Sequence, residues 1–218
     1  AFVRRMNERA AELGMEHTTF ENATGLDDDT VSHLISAEDI AIMSRELISH
    51  EKILEYTSIW MDTIRNGAFG LSNTNRLIRF YSGATGLKTG STAKAGFCVS
   101  ATAKRDGMHL ICVVMGAETR DIRNAIATKL LDYGFANFAL TEYTPEELTI
   151  PVKLGQQATV SAIPGGDTRF LIDKGQRNDI RYQVDLAESV AAPVSQGQQI
   201  GTLTIYAGQQ ILNQIPMV

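Results

Sequence analysis

Two apolar runs, Ala95 to Ala103 and Met108 to Gly116, flank the polar break Lys104-Arg105-Asp106-Gly107. No other stretch limits the fold so strongly. Asp-Gly between β-prone runs marks a hairpin, because both residues tolerate positive φ. The runs are nearly continuous in Phe, Val, Ile, Leu, Cys and Ala rather than alternating. That predicts strands covered on both faces, in the middle of a packed sheet. Just upstream, Lys88-Thr89-Gly90 lies where a third strand would run beside the hairpin. A cation, a hydroxyl and a residue without a side chain would then line one strand bordering a cleft. Alone the tripeptide says little, since average residue usage gives it by chance in roughly a few per cent of chains this long.

With 218 residues the chain holds one large domain or two modest ones, each able to bury a core. The formal net charge of -5 and the lack of a basic run argue against a nucleic-acid partner. No stretch approaches the ~20 apolar residues of a membrane span. The opening AFVRRMNERAAELGM carries Phe2 or Val3, Met6, Ala10 and Leu13 at helical spacing, yet no capping residue precedes Phe2. A helix entered part-way along is expected, and with it a chain that is a fragment of a longer protein. Cys98 and Cys112 fall one on each run. An odd-length loop would pair them and a two- or four-residue loop would put them on opposite faces; buried free thiols are the expectation. No His or Cys cluster has metal-ligand spacing, so neither a metal nor a cofactor is expected.

Gly14 is placed to end the first helix. His17 to His33, rich in Asn, Asp, Thr and Gly, reads as irregular loop. Ser36-Ala37-Glu38-Asp39 resembles a capping box that opens a helix with an apolar stripe of Ile40, Met43, Leu47 and Ile48. Glu51 to Trp60 predicts a short helix or an extended lead-out, and Arg65 to Asn75 (RNGAFGLSNTN) a loop. Thr119 caps a helix through Phe135 whose apolar line is Ile122, Ile126, Leu130 and Tyr133, with Gly134 weakening its last turn. Beyond Tyr143-Thr144-Pro145 the character changes to short β-prone runs at 148–154, 158–163, 170–173, 180–186 and 199–207. Breaks such as Pro164-Gly165-Gly166 separate them, as in a small all-β sandwich or barrel. Nothing in that part clusters nucleophiles, bases or ligands.

With these residues in place, the chain resembles the low-molecular-mass penicillin-binding proteins that act as D-alanyl-D-alanine carboxypeptidases. The most specific pieces are LGMEHTTFENATGLDDD, SAEDIAIMSRELI and FGLSNTNRLIRFYSGATGLKTGSTAKAGFCVSATAKRDG. The resemblance implies an α/β fold: residues 1–143 as the C-terminal part of a β-lactamase/transpeptidase-like domain, an antiparallel sheet with helices. A β-rich domain over 144–218, a small all-β sandwich, would follow. It implies a serine acyl-transfer enzyme with Ser-x-x-Lys, Ser-x-Asn and Lys-Thr-Gly motifs. Only Lys-Thr-Gly stands here in its expected context, and Ser-x-Asn is absent. Ser49-His50-Glu51-Lys52 and Ser91-Thr92-Ala93-Lys94 match the first motif by accident, because in the family the nucleophile opens a helix well upstream of Lys-Thr-Gly.

By the same resemblance, Lys88 supplies positive charge to attract a terminal carboxylate and stabilise developing negative charge. Thr89 donates its hydroxyl to that carboxylate, Gly90 lets a substrate backbone approach the strand, and the Ser91 backbone N–H is one oxyanion-hole donor. The implied partners are peptidoglycan stem peptides ending in D-Ala-D-Ala, β-lactams and the missing N-terminal part of the same protein. The setting is extracytoplasmic, in the bacterial cell envelope. The amphipathic anchoring helix common at the end of such proteins is not seen before Ile215-Pro216-Met217-Val218, so any membrane association would run through an absent segment. The chain alone is expected to be inactive. His17 and His33 are expected to be structural and Trp60 a packing residue. The alternative from another class is a non-catalytic envelope module that binds muropeptides or positions a partner.

Overall fold

The structure, a computed structural model, describes residues 1–27 and 30–218. Asp28 and Asp29, in the loop read from His17 to His33, lie outside the described residues. Residues Ala1–Phe135 and Ala136–Val218 form two compact units.

The first unit runs α1 (Phe2–Glu12), α2 (Ala37–Ile48), α3 (Glu51–Thr57), β1 (Met61–Ile64), β2 (Phe69–Ser72), α4 (Leu77–Phe80), β3 (Ala84–Thr92), β4 (Gly96–Arg105) and β5 (Met108–Ala117), then α5 (Arg120–Asn137). Its main sheet has the order β3-β4-β5, antiparallel throughout. Asp106 and Gly107 join β4 to β5 as a two-residue turn with φ of 48° and 78°, the left-handed pair that a tight hairpin needs. As the central strand, β4 is covered on both faces. Val99, Ala101 and Ala103 enter the core that includes Ala127 and Leu131 of α5. On the other face the buried hydroxyls of Ser100 and Ser44, the latter from α2, share a 2.7 Å hydrogen bond.

Capping follows the sequence closely. The Gly14 N–H reaches the Ala11 carbonyl and the Met15 N–H the Ala10 carbonyl, the paired bonds of a glycine-terminated helix end. Ser36 Oγ accepts from the Asp39 N–H at 3.0 Å. The buried Asp39 carboxylate turns to the preceding loop, accepting from the His17 N–H at 2.9 Å and the Thr18 hydroxyl at 2.6 Å. The expected stripe of α2 is only partly inward: Ile40 and Ile48 are half-buried, Met43 and Leu47 are 37% and 36% exposed, and Ser44 is buried.

Two local expectations are corrected. Arg65 to Asn75 is not all loop. It contains β2, which pairs with the preceding β1 as a hairpin whose turn places Arg65, Asn66 and Gly67 at positive φ, and all eight strand residues are exposed, which hid the pattern. In α5 the buried line is Arg123, Ala127 and Leu131, and Ile122, Ile126, Leu130 and Tyr133 are 39–61% exposed. Small Ala127 lets the helix lie close to β5, where Cys112 Sγ sits 3.8 Å from the Ala127 carbonyl. Gly134 stands in the last turn of α5, facing β5. A Cβ there would stand 2.5 Å from Leu110 Cδ1, so a side chain at this position would displace the Leu110 tip. Both cysteines are free, and burial pushes the Cys112 thiol up to about 11, leaving it protonated and inert.

His109 on β5 carries a pH signature. Its Nε2 lies 2.9 Å from Thr85 Oγ1, which in turn is 2.7 Å from Thr102 Oγ1. Burial first, and the Lys104 charge second, hold the imidazole below its usual 6.5. The fold thus favours the neutral ring, so this contribution is full above 6.5 and is lost as pH falls from there through the folded-state value. Thermal midpoints measured downward from neutral pH should decline in that window, and His109→Gln should flatten that part of the decline.

The second unit contains β6 (Phe138–Glu142), β7 (Leu148–Lys153), β8 (Thr159–Ala162), β9 (Arg169–Asp173), a 3-10 turn (Lys174–Asp179), β10 (Ile180–Leu186), β11 (Val190–Ala191), β12 (Gly201–Ala207) and β13 (Gln210–Met217). They form the sheets β10-β12-β13, β11-β7-β8 and β6-β9 around one apolar core. The five expected runs are strands. Sequence reading missed β6, the two-residue β11, and β13, whose Pro216 argues against a strand yet is tolerated at the edge of its sheet.

Candidate active-site strand

The Lys-Thr-Gly tripeptide lies within β3, which pairs with β4 on one side only: Lys88 faces Ser100, Thr89 faces Val99, Gly90 faces Cys98 and Ser91 faces Phe97. No strand among the described residues pairs with its outer edge. Burial alternates along it. Leu87 and Thr89 are each 8% exposed, whereas Lys88, Gly90 and Ser91 are open to solvent. The Lys88 ammonium donates to the Thr89 carbonyl at 2.5 Å, which holds the charge beside the strand.

Gly90 is informative because nothing among the described residues requires a glycine there. Its φ is not in the left-handed region, and a Cβ built on it meets no atom within 4 Å. Gly86, four residues earlier, differs: a Cβ there would be 2.8 Å from Thr57 Oγ1. That hydroxyl donates to the Thr85 carbonyl at 2.7 Å, which anchors the end of α3 to the start of β3.

The segment Asn73-Thr74-Asn75 is clamped against the same strand. Asn73 Nδ2 donates to the carbonyls of Ile59 (3.0 Å) and Thr57 (3.3 Å), and its Oδ1 accepts from the Asn75 N–H at 2.9 Å. Asn75, 1% exposed, donates from Nδ2 to the Gly86 carbonyl at 2.9 Å and accepts from the Leu77 N–H at 3.2 Å. Both asparagine side chains are thereby committed to backbone. Thr74 between them is exposed and brings its hydroxyl 2.6 Å from Thr89 Oγ1. Sequence reasoning gave Asn73, Thr74 and Asn75 a part in shaping the cleft and attached no catalytic role to Thr74. These residues read as turn formers, and no local pattern signals a hydroxyl pair spanning fifteen positions.

The two accidental Ser-x-x-Lys matches are not coupled pairs. Ser49 Oγ donates to the Glu46 carbonyl while Lys52 is bound to Glu55 at 2.6 Å, and Lys94 donates to the Asp27 carbonyl. His33 Nδ1 accepts from the Glu21 N–H at 2.9 Å and its ring meets Phe20 edge-on, a structural arrangement. Trp60 packs against Phe80, also edge-on, with the Arg79 guanidinium 5.9 Å from its ring centre. Among the described residues no group of His, Cys, Asp or Glu could hold a metal. A groove of about 410 Å³ is lined by Phe2, Met6 and Ala10 of α1 with Met15, Phe20 and Met43, and no residue of β3 belongs to it.

Comparison with known proteins bears on both units. The profile of the D-alanyl-D-alanine carboxypeptidase family matches residues 1–119, and that of the penicillin-binding protein 5 C-terminal domain matches residues 141–218. D-alanyl-D-alanine carboxypeptidase DacF of Bacillus subtilis (strain 168) is 37% identical over 223 residues, 99% of this chain and 57% of its own length. DacA of Escherichia coli (strain K12) is 32% identical over 224 residues, 100% of this chain and 55% of its own. The chain therefore spans little more than half the length of these relatives. Penicillin-binding protein 5 from Haemophilus influenzae superposes with a TM-score of 0.78 at 28% identity, over 99% of this chain and 64% of that one. Penicillin-binding protein D2 from Listeria monocytogenes, solved in a cefotaxime-bound form, matches 62% of this chain and 55% of its own at a TM-score of 0.58 and 41% identity.

Proposed function

The chain belongs to the D-alanyl-D-alanine carboxypeptidase family, and on that premise we propose that it is part of a serine enzyme trimming the terminal D-Ala from peptidoglycan stem peptides. In this reading a serine on the portion of the relatives' length that this chain does not span attacks the penultimate D-Ala carbonyl. The terminal D-Ala leaves, and water hydrolyses the acyl-enzyme. β-Lactams acylate the same serine, a reading supported by the Listeria relative's cefotaxime-bound form. The enzyme works outside the cytoplasm, in the cell envelope.

The roles on β3 follow from its chemistry. Lys88 draws the anionic peptide end to the strand, and the Thr89 hydroxyl donates to the carboxylate. The substrate backbone lies along the outer edge as an added strand. The Ser91 N–H is one of two donors to the oxyanion, the second being the N–H of the nucleophile itself, and losing one such donor costs ~100- to 1000-fold in rate. One observation supports this reading above the rest: open space over Gly90 on an unpaired edge, between the Lys88-Thr89 pair and Ser91. The chemical part is assigned to 1–143 and a spacer or docking role to 144–218. The division of the compact units after Phe135 and the pairing of Phe138–Glu142 with β9 support drawing that boundary a few residues earlier.

Labelling with a fluorescent penicillin tests the proposal. The full-length parent should take up covalent label that survives denaturation, and the 218-residue chain should take up none. A parent that resists labelling, or stable labelling of this chain at any serine, overturns it.

A further inference from the structure

We propose that Thr74 is a positioning residue for substrate recognition, one that aims the Thr89 hydroxyl at the peptide's terminal carboxylate. The inference rests on the reading of Thr89 as the carboxylate donor.

A threonine hydroxyl has one proton and two lone pairs. Thr89 Oγ1 lies 2.6 Å from Thr74 Oγ1, so one of the two protons occupies that contact. If Thr89 spends its proton on Thr74, an arriving carboxylate meets lone pairs and is repelled. If Thr74 donates into Thr89 Oγ1, the Thr89 proton is free for the anion. An anion at this edge therefore selects the relay Thr74 to Thr89 to carboxylate, and each hydrogen bond polarises the next.

The geometry suits a fixed donor. The backbone of Thr74 is held by the Asn73 and Asn75 side chains, which bond to the carbonyls of Thr57, Ile59 and Gly86. None of those bonds uses the Thr74 side chain. The side chain is exposed, so it contributes little to packing, yet its hydroxyl meets the one nearly buried hydroxyl of the tripeptide. Two asparagines committed to backbone thus hold a residue whose hydroxyl meets the proposed substrate donor.

The test uses the full-length parent with Thr74→Val, which keeps the shape and removes the hydroxyl, and Thr74→Ser, which keeps the hydroxyl. Steady-state kinetics are measured on a peptide ending in D-Ala-D-Ala, and inhibition constants against penicillin labelling on that peptide and on its C-terminal amide. Thr74→Val should raise KM about tenfold with kcat within twofold, the cost of one lost hydrogen bond to an ion-binding donor. It should weaken the carboxylate peptide and leave the amide unchanged, and Thr74→Ser should behave as wild type. An unchanged KM, a loss shared by the amide, or a loss carried by kcat or by Thr74→Ser overturns the inference. A parent that takes no penicillin label removes the functional reading itself. A labelled wild-type parent that binds amide and carboxylate equally removes only the role of Thr89, and this inference with it.

Discussion

Valine at position 90 should silence the parent enzyme and leave its melting temperature where it was. Most glycines in sheets answer to the fold, through positive φ or a crowded neighbour. Gly90 answers to neither, since its φ is ordinary and a Cβ would meet nothing within 4 Å. On an edge strand the β-branched side chain is also the better strand former, so unfolding should shift by less than ~1 kcal/mol. A peptide laid along that edge would meet the new methyl groups at van der Waals distance and be pushed outward. Displacement of a reacting centre by about 1 Å can cost about 100-fold, and that is the loss in kcat/KM expected here. Kinetics on a D-Ala-D-Ala peptide beside thermal unfolding check both halves. A fully active Gly90→Val would remove the strand edge as the binding surface. Gly86 provides the contrast: a Cβ there would stand 2.8 Å from Thr57 Oγ1 and 3.0 Å from Thr57 Cβ, where that hydroxyl anchors α3 to β3, so even alanine should lower stability.

Leu203→Ala should lower the stability of the unit 136–218 by about 2–5 kcal/mol, the range for leucine truncation in a packed core. Leu203 is 0% exposed and sits on β12, the central strand between β10 and β13. Its neighbours in the core include Ile205, Ile215 and Met217, each on a strand held from at least one side, so the surroundings cannot collapse easily into the cavity. For a unit of this size each kcal/mol moves the midpoint by about 4–8 °C, which makes the expected fall about 10 °C or more. Calorimetry on the 218-residue chain should show that transition moving. A shift under 2 °C would mean that this core does not hold the unit together.

Some of this was readable from residues alone. Asp106-Gly107 specified the tight turn, and the unbroken apolar runs beside it specified a strand covered on two faces, because both signals act over a few residues. The strands β7, β8, β9, β10 and β12 of the second unit were equally plain from their punctuation, whereas β6, β11 and β13 were not. What stayed hidden depends on partners distant in sequence. The sequence of α5 offers two lines of residues, and which one packs is decided by the fit of Ala127 and Gly134 against β5, with Arg123 hidden on the side that periodicity would have left in water. β1 and β2 are exposed on both faces and so leave no alternation to read. Lys88-Thr89-Gly90 stood out beside the hairpin, and the roles proposed for Lys88 to Ser91 came from likeness to a family. The Thr74 hydroxyl did not stand out, since only the fold brings positions 74 and 89 within 2.6 Å.

The unpaired border of β3 has an evolutionary side. A ligand held there by main-chain amides and carbonyls is gripped by groups that a codon change leaves in place, proline excepted. Escape from an inhibitor built as a mimic of an added strand would have to come from bending the strand or from crowding over Gly90. On the proposed reading, either change would also exclude the natural peptide. Compounds that take most of their hold from that border should therefore meet resistance more slowly than compounds that depend on any one side chain.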